Sequence, residues 1–263
     1  MIVDPLYTAL LQHTSPHPAL FGTVGGSRAY GCASPNSDYD IHGVHLLPAR
    51  VVLGLTPQCV TAESKAHLPE YLGGEADIAT HDLKKFVELL LKSNGNVLED
   101  LYSPIIVHTS PAHEVLRDLG RGCITKRLAA HYKGMAANQQ RGITSRPLKS
   151  LLHTYRCLLM GIHAMRTGEL LFELQHLAYL YHQPQVFELV ERKRVGDENL
   201  EIQERDSHQP HVLGLVQVLE QETVASSLPD APAPETQAAL EQLVIRMRLE
   251  TAFGSLSKQE GEI

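Results

Sequence analysis

Residues 19–44 constrain the fold more than any other stretch of the chain. The apolar run Ala19-Leu20-Phe21-Gly22-Thr23-Val24 suits a buried strand. It enters Gly25-Gly26-Ser27-Arg28-Ala29-Tyr30-Gly31, which reads as a turn with at most a short helix. Six residues later, Asp38-Tyr39-Asp40-Ile41 opens a second strand running to about Leu47. Successive strand side chains face opposite ways, so Asp38 and Asp40 point to one side and Tyr39 and Ile41 to the other. Two adjacent carboxylates repel unless a cation lies between them. Hard divalent ions with oxygen ligands fill that role, Mg²⁺ or Mn²⁺ above all. The Gly-Gly-Ser turn suits a phosphate, because glycine lets backbone N–H groups approach closely and a helix start adds partial positive charge. Ser27 can donate a hydroxyl hydrogen bond. Arg28 is suited either to neutralise a phosphate or to make a structural ion pair.

The rest of the chain divides by periodicity. Residues 1–17 read as a helix, and 48–76 as loop with short strands. Residues 75–79 read as a strand entering an amphipathic helix over 81–93. On that helix Leu83, Phe86, Val87, Leu90 and Leu91 share a face, and Thr80 or Asp82 can cap its start. Another helix pattern covers 112–119. From about 122 the pattern is helical: 123–140, 148–167, 169–182, 185–195 and 211–224. Residues 226–235, rich in Ser, Pro and Ala, read as a linker to a last helix over 235–252. Such a linker would let that helix move, or exchange between copies of the chain. The expected regions are therefore 1–120, 121–225 and 226–263, with the helical half free to pack on the first.

Charge is distributed unevenly. The 263 residues carry a net charge of −7, which excludes a generic polyanion binder. Yet residues 119–168 contain nine Lys and Arg and no Asp or Glu. This separation predicts one basic surface within an acidic protein; the plainer reading is a solvated helix face. Lys149, His153 and Arg156 are spaced by four and three, so they share a helix face, with Tyr155 on a neighbouring one.

Other chemistries find no support. Fifteen histidines show no His-Glu-x-x-His or Cys/His zinc spacing. No Gly-x-Ser-x-Gly and no Walker-type Gly-Lys-Ser/Thr is present, which argues against an α/β-hydrolase and a P-loop enzyme. His42 and His45 flank the acidic strand and read as structural or supporting. Asn96 and Glu99 read as a helix start or packing motif. No apolar run reaches the roughly 18 residues of a membrane helix, so no membrane partner is expected. The first residues lack the basic start of a secretory signal, and four separated cysteines lack any Cys-x-x-Cys. Both point to reduced thiols and a cytoplasmic protein.

The block GGSRAYGCASPNSDYDIHGV (25–44) resembles the signature of the DNA polymerase β-type nucleotidyltransferase superfamily. More narrowly, GSRAYG with SDYDIHG resembles a bacterial and phage family of nucleotidyltransferases, some associated with RNA ligases and RNA repair. GNVLEDLYSP (95–104), HYKGMAANQ (131–139) and KSLLHTYRCLLMGIHAMRTGEL (149–170) match in style, so the resemblance spans about 20–170. It implies an α+β fold: a mixed β-sheet core with flanking helices, followed by a mostly helical C-terminal half. It also implies a third carboxylate on a later strand. Asp77 is the best candidate, with Glu75 as the fallback and Asp82 as a helix cap instead.

By the same resemblance, an NTP, ATP foremost, lies on the Gly26-Ser27 turn near Arg28. Asp38, Asp40 and Asp77 hold two Mg²⁺ (or Mn²⁺) ions, and Asp77 is also the candidate proton acceptor. Lys149 and Arg156 contact the triphosphate, and Tyr155 faces the base or ribose. His131, Tyr132, Lys133 and Asn138 add to the same wall. The implied activity is nucleotidyl transfer to an RNA 3′-hydroxyl. The alternatives are adenylylation of a protein or small-molecule hydroxyl, and a nucleotide sensor without catalysis. Oligomeric state is left open.

Overall fold

A computed structural model describes residues 5–15, 17–55, 59–72, 74–141, 147–196 and 202–259. Helix α1 (Pro5–Thr14) precedes strand β1 (Ala19–Val24), the short α2 (Gly26–Ala29) and β2 (Tyr39–His45). Next come α3 (Ala49–Val52), β3 (Thr61–His67), β4 (Glu75–Asp82), α4 (Leu83–Leu90), α5 (Gly95–Tyr102), β5 (Ile106–His108) and α6 (Pro111–Gly120). Helices then follow without strands: α7 (Arg127–Arg141), α8 (Pro147–Thr167), α9 (Leu174–Leu180), α10 (Gln185–Arg194), α11 (Ile202–Ser207), α12 (Gln209–Ala225) and α13 (Pro234–Gln259).

The five strands form one mixed sheet in the order β3-β4-β2-β1-β5. Only β2 and β4 run parallel; the other neighbours are antiparallel. The α+β class expected from the resemblance is therefore the fold observed. Strand alternation sorts the two faces. Ile41 of β2, with Ala76 and Ile78 of β4, packs under Leu6, Ala9 and Leu10 of α1. The opposite face carries Asp40, His42 and Val44, with Asp77 and Ala79 beside them in register. On that side Phe21 stacks on His113 at 4.3 Å between centroids and meets Phe86 edge-on at 5.4 Å.

The core runs across residue 120 without a break. One apolar cluster joins Phe21, Val44 and Leu83 to Leu159, Leu219 and Leu243. Each such side chain contributes about 1.5–3 kcal/mol by leaving water, so the two halves support one another. Helix α8 lies at the centre, with Leu158, Leu159, Met160 and Ile162 fully buried.

Several boundaries differ from the sequence expectation. Strand β4 continues through Asp82, so α4 starts at Leu83 rather than at 81. Asp82 does cap that helix, accepting from the Lys84 N–H at 3.0 Å. Residues 95–102 form a full helix, capped by Asn94, where only a helix start was expected. The short β5 and α11 were not expected at all, because three and six residues carry too little periodicity to register. Gly168, at φ +74°, ends α8, and α9 begins only at Leu174.

The last helix is packed on its own chain, not free. Arg248 of α13 is 7% exposed; its guanidinium donates to Asp82 Oδ2 at 2.5 Å and to the Leu47 carbonyl. The four cysteines are free thiols. Among the described residues, no helix is long and apolar enough to cross a membrane.

Candidate active site

The sheet wall of the site is built by register. On parallel strands, Asp40 of β2 lies directly beside Asp77 of β4. Asp38 is exposed, two residues before Asp40. The turn is tied to the same strand, since the Gly25 N–H donates to the Asp40 carbonyl at 2.8 Å. Gly26 has φ +61°, and a Cβ there would overlap the Asp40 carboxylate. Glycine is required at this position both by conformation and by space. Burial raises the Asp40 pKa; Asp77 and Asp38 add to that rise, while His42 and Lys149 oppose it. Asp40 therefore feels both of the other carboxylates.

Two partners were not foreseen. Lys65 of β3 pairs with Asp77 at 2.9 Å. The Nδ1 of His42 meets Asp100 Oδ1 at 2.6 Å. Burial works against charge on His42, but the Asp100 hydrogen bond and charge outweigh it and push its pKa up to about 9. His42 thus presents a cation beside Asp40, a position its reading as a supporting residue did not specify.

A cavity of about 280 Å³ opens between this wall and the helical half. Gly26, Ser27, Asp40 and His42 line one side; Lys149, His153 and Arg156 of α8 line the other. Lys149 is exposed and has no direct carboxylate partner among the described residues. Its charge reaches Asp40. His153 is pushed down to about 3 by burial and by the charges of Arg156 and Lys149, so it stands as a neutral imidazole.

Three expected nucleotide contacts are engaged by partners within the protein. Arg156 is 2% exposed, and its Nη1 donates to both Glu99 carboxylate oxygens at 2.7 Å. Its guanidinium lies 4.3 Å from the Tyr30 ring centroid, and the Tyr30 hydroxyl donates to Glu99. Arg156 borders the cavity, but its charge is taken by Glu99. Tyr155 is fully buried, with its hydroxyl 2.9 Å from His208 Nδ1, and it does not face the cavity. Arg28 donates to the Ser37, Asp38 and Leu72 carbonyls and stacks over Tyr39 at 3.7 Å. It clamps the loop before β2 and does not line the cavity.

The expected basic surface is partly neutralised. Lys126 lies 3.8 Å from Asp230, Lys133 pairs with Glu220, and Arg166 pairs with Glu222 at 2.5 Å. With Arg156 on Glu99, four of the nine cations are matched by carboxylates from outside the stretch. Arg146 lies outside the described residues. Tyr132, expected on the cavity wall, is fully buried in the core.

Among the described residues, no three Asp, Glu, His or Cys side chains form a ready-made metal cage. The donor chemistry nevertheless fits Mg²⁺. That ion retains several waters and is commonly held by one or two carboxylates plus substrate phosphates. Asp40 and Asp77 side by side, with Asp38 near, supply such a partial ligand set.

A mixed sheet whose first strand turns through glycine and serine into an acidic second strand, with a further carboxylate in register, places the chain in the polymerase β-like class. The chain belongs to the RNA repair pathway DNA polymerase beta family, RlaP, whose model matches residues 7–246. It is 30% identical over 153 residues to the uncharacterized protein MJ0002 of Methanocaldococcus jannaschii. That alignment covers 57% of this chain and 61% of the relative, so the chain spans less than two thirds of the relative's length. A solved nucleotidyltransferase-like protein from Exiguobacterium sibiricum 255-15 is similar at 11% identity and a TM-score of 0.32. The match covers 98% of this chain and 78% of that one. A likeness that loose carries nothing further.

Proposed function

We propose that the protein is a metal-dependent nucleotidyltransferase that transfers NMP from an NTP, ATP foremost, to an RNA 3′-hydroxyl during RNA repair. The observation that carries this reading is the register pair Asp40–Asp77 beside the Gly26 turn. The Gly26-Ser27 backbone and the Ser27 hydroxyl bind the triphosphate, and Lys149 offsets its charge. Mg²⁺ or Mn²⁺ held by Asp38, Asp40 and Asp77 would lower the pKa of the attacking hydroxyl and offset charge on the departing pyrophosphate. Asp77 accepts the hydroxyl proton at a carboxylate oxygen. Its pair with Lys65 is exposed on both sides and screened by solvent, so it yields to substrate. His42, held by Asp100, keeps a positive charge beside Asp40. The protein's contribution is position and fixed charge.

The family description supports RNA as the acceptor. The net charge of −7 and the internal pairing of the basic stretch favour a short footprint, such as one RNA end. The test uses purified protein, each α-labelled NTP, Mg²⁺ or Mn²⁺, and an RNA oligonucleotide ending in a 3′-hydroxyl or a 3′-phosphate. Extension confined to the 3′-hydroxyl RNA is the expected result. Label on a protein band without RNA extension would replace RNA by a protein acceptor, and no transfer under any combination would sink the reading.

A further inference from the structure

We infer that Lys193 is a phosphate-binding residue of the cavity, gripping the non-transferred phosphates of the bound triphosphate. The inference rests on the nucleotidyltransferase reading and extends it to a residue on α10 that no motif marks. Three Lys or Arg side chains are buried among the described residues: Arg156, Lys193 and Arg248. Arg156 is matched by Glu99 and Arg248 by Asp82. Lys193, at 5% exposed, has no ion pair and no side-chain hydrogen bond among the described residues. The side chain is largely buried, yet its ammonium is not among the enclosed unpartnered atoms: it opens to the cavity it lines without a counter-charge, where an anion can meet it.

The surroundings say which anion. Lys193 lines the same cavity as Gly26, Ser27 and Lys149. Its charge acts on the Cys32 thiol, opposing the rise that burial imposes there. Cys32 is tied back to the turn, its N–H donating to the Ser27 carbonyl at 3.0 Å. Lys193 therefore stands at the Cys32 end of the turn, whereas Asp40 stands at the Gly26 end. Two lysines, from α8 and α10, line the same cavity as the glycine-serine turn. A single carboxylate ligand would occupy only one of them, while a polyphosphate chain can engage both ammonium groups and the Ser27 hydroxyl. Sequence reasoning missed Lys193 because it sits in Glu191-Arg192-Lys193-Arg194, a charge run of the kind that usually forms a solvated helix face.

The test measures binding of inorganic tripolyphosphate to the full chain by calorimetry, for the unmodified protein and for Lys193→Met, Lys193→Gln and Lys193→Arg. Loss of one charge-assisted contact should weaken binding about 10–100-fold in the Met and Gln variants and less in the Arg variant. The melting temperature of unliganded Lys193→Met should equal or exceed that of the unmodified protein, since a largely buried side chain loses a charge that has no counter-charge among the described residues. Tripolyphosphate affinity within twofold of the unmodified protein in either neutral variant that folds, or no binding to the unmodified protein, overturns the assignment. NTP assays separate the two readings. Binding that depends on Lys193 without nucleotide transfer leaves Lys193 standing and removes the transferase reading. Transfer with KM and pyrophosphate inhibition unchanged in Lys193→Gln removes Lys193 and leaves the transferase.

Discussion

The two walls of the cavity are built by different physics. On the sheet wall, backbone register decides where each carboxylate stands: Asp40 and Asp77 are neighbours because β2 and β4 run parallel in that register. On the helical wall, packing decides which cations remain available. Lys149 and Arg156 are seven residues apart on α8, yet Lys149 is exposed and Arg156 is locked to Glu99. Chemistry set by register depends on a few local residues. Chemistry set by packing depends on where distant carboxylates happen to fall.

That contrast can be broken most sharply at the sheet wall. Asp40→Asn should lower nucleotide transfer by about a thousandfold or more in the labelling assay, the scale of losing an electrostatic group aimed at the reacting atoms. Its melting temperature should hold or rise, because burial already disfavours the Asp40 charge. A large fall in stability would mean that the carboxylate is structural.

At the helical wall the order of effects should reverse. Glu99→Gln leaves Arg156 buried without its counter-charge and should cost about 3–5 kcal/mol in urea unfolding. The double variant Glu99→Leu with Arg156→Met should recover most of that loss, because no buried charge is left unpaired. Recovery would establish Arg156 as a structural cation. Stability kept in the single variant with activity lost would return it to the substrate.

A smaller effect separates the sheet's packing from its chemistry. His45 and His113 are nearly inaccessible, and burial pushes each pKa down to about 4, below the ordinary value of 6.5. The unfolded chain therefore takes up these protons first as pH falls. Stability from the two neutral histidines is full above about pH 6.5 and is lost between 6.5 and 4, on the order of 1–3 kcal/mol per site. Denaturation midpoints across that window should fall less steeply in His113→Gln than in the unmodified protein.

The smallest effect belongs to the surface pairs that disperse the basic stretch. Lys133→Ala removes an exposed pair with Glu220 and should change stability by less than about 1 kcal/mol. A tenfold change in RNA binding on this substitution would show that the pair opens onto the acceptor.

The sequence by itself determined the turn, the strand it feeds, and the side on which Asp40 lies. Those features follow from glycine's conformational freedom and the two-residue period of a strand, both local properties. It also marked Asp77, through a resemblance that extends beyond the first motif. The availability of each cation was a matter of tertiary structure. Arg156 finds Glu99 57 residues away, and Lys133 finds Glu220 87 residues away. Tyr155 turns to His208 across 53 residues. Lys193 has no ion pair among the described residues, although it sits in a dense charge run. A cation's role is set by the anion that reaches it, and when that anion comes from a distant part of the chain, only the folded core brings the two together.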